Sequence, residues 1–247
     1  MIKFFRKIRQ QLLSEGKTGQ YLKYAIGEIV LVVIGILIAL QINNWNQGRL
    51  DEKRSLEYHQ RLLEDMDRVI QRSITLKERS DKTLIAITNS VAVLENGSFE
   101  NPNQRSDFDY ALIWFSRFNY QTPDLSTLEE MKSNGDLNLI YNIKLRKKIV
   151  DFNAYLYTVA SIFESLGTVV SNELSYFDKY MRSNVNPKTL EVTYSYDFKK
   201  MTEDPEFINR FSRLGVHWRG SSFFSSQLEK EALEIKNEIQ KELDTLE

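Results

Sequence analysis

The sequence contains no cysteine. That removes disulfide frameworks, thiolate metal sites and cysteine nucleophiles. Histidine is nearly missing too: His59 and His217 are its only imidazoles, too few for a multi-histidine metal centre. Ten Gly and four Pro in 247 residues are few for a turn-rich β-fold, a disordered chain or a glycine-rich phosphate cradle. Charge of one sign is not in excess, because 33 Lys+Arg face 34 Asp+Glu. The whole-chain basic signature of a nucleic-acid binder is therefore absent. These shortages leave an all-α chain, long enough for one or two domains and a sizeable core.

One long hydrophobic run is present. Ile29 to Leu40 reads IVLVVIGILIAL, and the stretch from Tyr24 to Ile42 is broken only by Glu28 and Gln41. A helix needs roughly 20 mostly apolar residues to cross a hydrocarbon core of about 30 Å. Tyr21 and Tyr24 before the run and Trp45 after it are placed as interfacial aromatics. A cleaved signal peptide fits poorly, since the run starts late and no small-residue cleavage site follows it. Apolar residues cover every face, unlike the one-sided stripe of a soluble helix. We expect an uncleaved transmembrane anchor over residues 20–46.

Lys3, Arg6, Lys7, Arg9, Lys17 and Lys23 precede the span, against Arg49, Lys53 and Arg54 after it. This asymmetry predicts a cytoplasmic N-terminus and an exported domain over 47–247 on the far side of the membrane, where the absence of Cys is compatible with a bacterial periplasm. The first segment, 1–19, begins MIKFFRKIRQQLL, with Phe5, Ile8 and Leu12 on one helical face and Arg6, Lys7 and Arg9 carrying charge. It reads as an amphipathic helix lying on the anionic leaflet, with an elbow at Ser14 to Gly19. Within the span, Gly35 and Ala39 form a small-xxx-small pair that lets a second helix approach. Glu28 shares their face. Two readings fit it: an assembly interface, or a carboxylate one turn inside the boundary that reaches back to headgroups.

The stretch YAIGEIVLVVIGILIALQINNWN, after an MIKFFRKIRQ start, resembles an uncharacterised family of single-pass envelope proteins from Bacteroidota. LEEMKSNGDLNLIYNIKLRKKI is similar to that family's second recurrent block. The resemblance is close over the first fifty residues and loose in mid-chain. It implies an inner-membrane anchor with a helical exported domain, and it brings no activity, cofactor or catalytic residue.

Beyond the anchor, Leu56, His59, Leu63, Met66, Ile70, Ser73, Lys77, Ser80, Leu84, Ile87, Val91 and Leu94 step by threes and fours. This predicts a long helix over 48–94, with a polar interruption at 73–80 and a stop at Asn96-Gly97. It is placed to continue the membrane helix. A short aromatic helix is expected over 108–118. A capping box at Ser126-x-x-Glu129 and a stop at Asn134-Gly135 bracket another. Asn142 is read as the cap of a long helix to about Tyr180, striped by Ile149, Phe152, Leu156, Val159, Phe163, Leu166, Val170 and Leu174. Residues 187–196 alternate like a strand and fit either a small hairpin arm or an ordered loop. Asp204-Pro205 opens the last helix, with Phe207, Phe211, Leu214, Trp218, Leu228, Ile235, Ile239, Leu243 and Leu246 on its face. The expected architecture is an elongated bundle of three long helices with short capping helices at one end.

Catalytic chemistry is hard to find. Gly16-Lys17-Thr18 lacks the upstream glycine and strand of a phosphate loop. His217 has no carboxylate pair tied to it, and the acidic residues read as solvated helix faces. Tyr110, Trp114, Phe115, Phe118 and Tyr120 lie within eleven residues. Tyr110 and Trp114 share one face of their helix. Such a segment either plugs the end of the bundle or presents Tyr110 and Trp114 to a partner. The expected function is a membrane-anchored interaction or scaffold subunit with no catalytic activity. The alternative is a ligand-binding or sensory module acting through a partner. The expected partners are the lipid bilayer and a second copy or another envelope membrane protein. No cofactor, metal, nucleic acid or known small-molecule substrate is expected.

Overall fold

The structure, a computed structural model, describes residues 18–118, 121 and 123–246. Residues 1–17 of the amphipathic segment and its elbow, like Tyr120, lie outside the described residues, and Thr18 and Gly19 belong to the first helix. In chain order the elements are α1 (Thr18–Asn96), α2 (Pro102–Trp114), α3 (Ser126–Asn134), a 3-10 turn (Asp136–Leu139) and α4 (Ile143–Phe177). Strands β1 (Met181–Val185) and β2 (Val192–Tyr196) follow, then α5 (Phe198–Thr202) and α6 (Pro205–Leu246). The chain is thus largely helical, with one small sheet. It divides into two units, the first ending at Ser55 and the second running from Leu56 to Glu247.

In the first unit, α1 carries the apolar run with its side chains outward. Exposure of the large apolar residues from Leu22 to Ile42 stays between 47% and 67%. No described residue covers them. Among the described residues this is the one helix long and apolar enough to cross a membrane.

In the second unit, α1 turns its core face inward. The buried stripe is centred on Tyr58, Leu62, Val69 and Leu76, while Leu56, Leu63, Leu84 and Val91 are only half-buried. The expected stripe is thus about one position off centre and too narrow. One cluster sets α1 against residues of α3, α4 and α6 together, so more than a single seam is covered. The polar interruption is buried rather than exposed. Ser80 and Ser221 share a hydrogen bond of 2.8 Å between hydroxyls. Thr83, Ser90 and Ser225 donate to carbonyls one turn back in their own helices. Small hydroxyls satisfied this way can be buried at a helix contact; the Ser73 hydroxyl, buried in the same stretch, has no hydrogen-bond partner among the described residues.

The short helices do not gather at one end. α3 and the 3-10 turn join a mainly aliphatic cluster with Leu62, Met66, Ile149, Leu156 and Ile235. α2 joins a mainly aromatic one with Phe177, Phe207, Phe211 and Trp218. Within it, the Trp218 indole N–H donates to the Phe115 carbonyl at 3.2 Å.

Most helix ends follow local chemistry. Asn142 Oδ1 accepts from the backbone N–H groups of Lys144 and Leu145. Asp204 Oδ1 accepts from those of Glu206 and Phe207, and Pro205 occupies the first helical position. Gly135 takes the left-handed conformation at φ 74°, which ends α3 as glycine does most cheaply.

The capping box does not form. Ser126 is the first helical residue, and Leu125 precedes it without a side-chain cap. The Thr127 N–H instead donates to Asp65 Oδ2 of α1 at 3.0 Å. A carboxylate from a packed neighbour replaces the local hydroxyl, and Glu129 is released to Lys132 and Asn153. α2 also differs from expectation: it starts at Pro102, capped by Asn101, and stops at Trp114. α4 ends at Phe177 because the chain turns into a hairpin, pairing Met181 with Tyr196 through to Val185 with Val192. β1 reads MRSNV and shows no alternation, which hid it in the sequence.

Candidate functional site

Gly35 and Ala39 are exposed, and a Cβ placed on Gly35 would meet nothing within 4 Å. Glu28 is half-buried on the same helix. At the end of the run, Trp45 is exposed with the Arg49 guanidinium 5.7 Å from its ring. Asp51 beyond it accepts from Gln47 and Arg54 at 3.0 and 2.6 Å. The sequence therefore passes within about three turns from an apolar run through an aromatic to a network of charges.

The second candidate is on α2. This helix buries Phe108, Ala111 and Leu112, with Phe115 just beyond it, and those residues hold it in the aromatic cluster. Spacings of three and four residues bring them to one face. Tyr110 and Trp114 are half-buried beside that face and stack on each other, with centroids 5.8 Å apart and planes at 24°. Phe118 packs instead against Phe163 and Trp218. The segment is thus divided: Phe108, Phe115 and Phe118 serve the core, and Tyr110 and Trp114 form a ring pair that water reaches.

Cations surround that pair. The Lys82 ammonium lies 4.4 Å from the Tyr110 centroid. The guanidiniums of Arg79 and Arg117 lie 5.6 and 5.1 Å from the Trp114 ring. Arg79 and Lys82 come from α1, one turn apart, and Arg117 follows α2. A cation over a ring face is held by the ring's quadrupole, by about 0.5–1 kcal/mol where water has access. No reading of the sequence brought these three cations to Tyr110 and Trp114. The available signal was the spacing of Arg79 and Lys82, which is common on any helix.

Other polar groups are used for structure. Asp204 Oδ2 accepts from Tyr176 at 2.9 Å and from Tyr180. The Tyr180 hydroxyl holds the Asp204 carboxyl below the usual range, with Tyr176 and two backbone N–H groups adding to it against the effect of burial. Burial first, then the hydroxyl of Tyr180 and the carboxylate of Asp204, push Tyr176 up. Burial and the Asp109 carboxylate push Tyr196 up to about 12. Tyr58 donates to buried Asp136 at 2.9 Å. His59 Nε2 lies 3.3 Å from Glu242 Oε1, which also accepts from the Asn142 N–H. His217 is half-buried, and burial, helped by Arg213, lowers its pKa. Asp204, Asp109 and Asp136 are thus held by tyrosines or a cap, while Glu242 Oε1 faces His59 and Asn142 and its Oε2 is buried without a hydrogen-bond partner among the described residues. Among the described residues, no three His, Cys, Asp or Glu side chains are grouped to hold a metal ion.

Grooves are shallow. One of about 490 Å³ between α4 and α6 is lined by Lys148, Asp151, Tyr155, Lys230, Glu231 and Glu234 among others. Burial raises the Glu231 carboxyl there. A smaller apolar groove of about 220 Å³ lies between Leu84, Ile87 and Val91 of α1 and Gly215 and Val216 of α6. Both open at the surface.

No curated protein and no solved structure matches this chain. One family does, over residues 28–212, a span holding most of the apolar run, α2 with its ring pair, and the start of α6. The chain belongs to this family, which is described as a family of unknown function, DUF6090.

Proposed function

We propose that this chain is a membrane-anchored interaction or scaffold subunit of a bacterial cell-envelope complex, without catalytic activity of its own. In this reading the apolar run of α1 is a single-pass inner-membrane anchor with a cytoplasmic N-terminus. The second unit is an elongated bundle in the periplasm of a member of the Bacteroidota. The observation that carries the reading is the Tyr110–Trp114 stack, half-buried so that water reaches it, with three cations beside its rings. Rings of this kind are enriched where proteins dock, and a few of them supply most of the affinity. The exposed run supports the anchor, and the exposed Gly35 and Ala39 support helix–helix assembly, with a second copy or another membrane protein. The open grooves give the ligand-binding alternative less support than an enclosed apolar cavity would.

The test is crosslinking in intact cells expressing the full chain, followed by purification in detergent. Trp114→Ala and Tyr110→Ala are expected to remove a crosslinked partner while leaving circular dichroism and the melting curve close to wild type. Gly35→Leu is expected to weaken assembly in detergent without unfolding the second unit. A C-terminal fusion to a reporter that fluoresces only in the cytoplasm is expected to stay dark. An unchanged crosslinking pattern in both ring variants rejects the docking role, and a bright fusion rejects the topology.

A further inference from the structure

Arg79, Lys82 and Arg117 carry no ion pair among the described residues, although their surroundings are not short of acid. The two carboxylates of α2 are engaged elsewhere: Asp107 accepts from Asn89 at 2.8 Å and Asp109 from Tyr196 at 2.7 Å. Asp81 of α1 is likewise taken by Lys77 and Ser222. The three cations around the ring pair are thus outside every ion pair formed among the described residues, although Glu78 of α1 lies one turn before Lys82. Their places are set by folded elements: α1 fixes Arg79 and Lys82, and the core side of α2 fixes the rings. A guanidinium stacked on a ring keeps its N–H edge available, and that edge matches a carboxylate two bonds at a time.

We infer that Tyr110 and Trp114, with Arg79, Lys82 and Arg117, form a docking platform for an acidic polypeptide segment of a partner protein. The inference rests on the interaction-subunit reading and adds the chemistry of the partner. Charge complementarity gives the sign of the partner. The arrangement gives its class. A small anion such as phosphate is held best by donors converging on one point, as they do at a helix N-terminus. Here the cations are distributed, one over Tyr110 and two over Trp114, with apolar ring surface between them. That pattern suits several carboxylates carried on a backbone, whose intervening carbons pack on the rings. Interfacial rings serve at headgroup surfaces as well, but there they insert as exposed side chains, whereas Tyr110 and Trp114 are half-buried in a stack beside their cations.

The experiment uses the full chain in nanodiscs of neutral phosphatidylcholine. The probe is a fluorescein-labelled peptide of alternating Glu and Ser, read by anisotropy, with a Gln-Ser peptide as control. Saturable binding of the Glu-Ser peptide alone is expected, weakening as salt is raised. Combined Arg79→Gln, Lys82→Gln and Arg117→Gln should weaken it about tenfold or more, and Trp114→Ala by a similar factor, as for other centres of binding energy. Lys82→Glu serves as a single exposed change should the triple variant melt early. Failure of the Glu-Ser peptide to bind, or equal binding to every variant, overturns the inference. So does preferential capture of phosphatidylglycerol vesicles or inorganic phosphate through the same residues. If the peptide fails while Trp114→Ala still removes the crosslinked partner in cells, the acidic chemistry falls and the interaction reading stands. If neither responds, both fall.

Discussion

Within the single helix α1, Leu, Ile and Val side chains meet two opposite fates. Before Ser55, Leu31 is 67% exposed and Val33 47%. After it, Leu62 and Val69 are 0% exposed. The backbone hydrogen bonding is the same in both stretches, and the residue types overlap. The difference is in what stands opposite. In the second unit, α3, α4 and α6 cover one face, and the uncovered face is polar. Along the apolar run of the first, no described residue covers a face and no face is polar. Helix formation and apolar burial are therefore separable. A chain satisfies its backbone anywhere by coiling, whereas its side chains need either a partner element or an apolar medium.

The largest effect should come from breaking the covered side. Trp218 is buried, donates to the Phe115 carbonyl and packs edge-on against Phe118. Trp218→Ala is expected to cost about 3–5 kcal/mol through lost contacts and the cavity left behind. Urea titration followed by circular dichroism measures it, and a loss near zero would mean the aromatic cluster is not a packed core.

A charge on the uncovered side should act differently. Ile34→Arg places a cation in the middle of the exposed run, where insertion scales assign it about 2.5–3.5 kcal/mol. The fraction of protein resisting carbonate extraction should fall, with the urea midpoint of the second unit unchanged. Full retention in the membrane fraction would remove the case for a spanning segment.

A smaller effect tests a contact that joins α1 to a neighbour. Asp65→Ala removes the acceptor of the Thr127 N–H and the partner of Arg68. The expected loss is about 1–2 kcal/mol, as for other caps. Ser126→Ala should cost far less, because Ser126 does not cap the helix. Equal losses for the two would restore the local capping box.

The smallest effect is pH-dependent. Because the Tyr180 hydroxyl holds the Asp204 carboxyl below its ordinary value, the folded state binds that proton less readily than the unfolded chain. The resulting stability is present above the ordinary carboxylate range and is lost as pH falls through the depressed value. Tyr180→Phe should therefore lower stability at neutral pH and flatten its decline in acid. Urea midpoints collected across the carboxylate range check the slope, and an unchanged slope would release Asp204 from the tyrosines.

Much of this molecule is legible along the chain because the relevant forces are local. The run from Ile29 to Leu40 declares its own length and all-round hydropathy. Asn142, Asp204-Pro205, Asn96-Gly97 and Asn134-Gly135 punctuate helices through bonds and dihedrals spanning only a few residues. The aromatic content of α2 was visible too, as was the placement of Tyr110 and Trp114 on a face of their own. Tertiary structure decided the rest, through partners far apart in sequence. Asp65, more than sixty residues from Thr127, displaced a well-formed local capping signal. β1 became a strand only because β2 lay opposite it. The phase of the α1 stripe followed from having several neighbours instead of one. Most consequential for function, Arg79 and Lys82 belong to α1 and Arg117 to the segment after α2, and only folding gathers their charges around two rings.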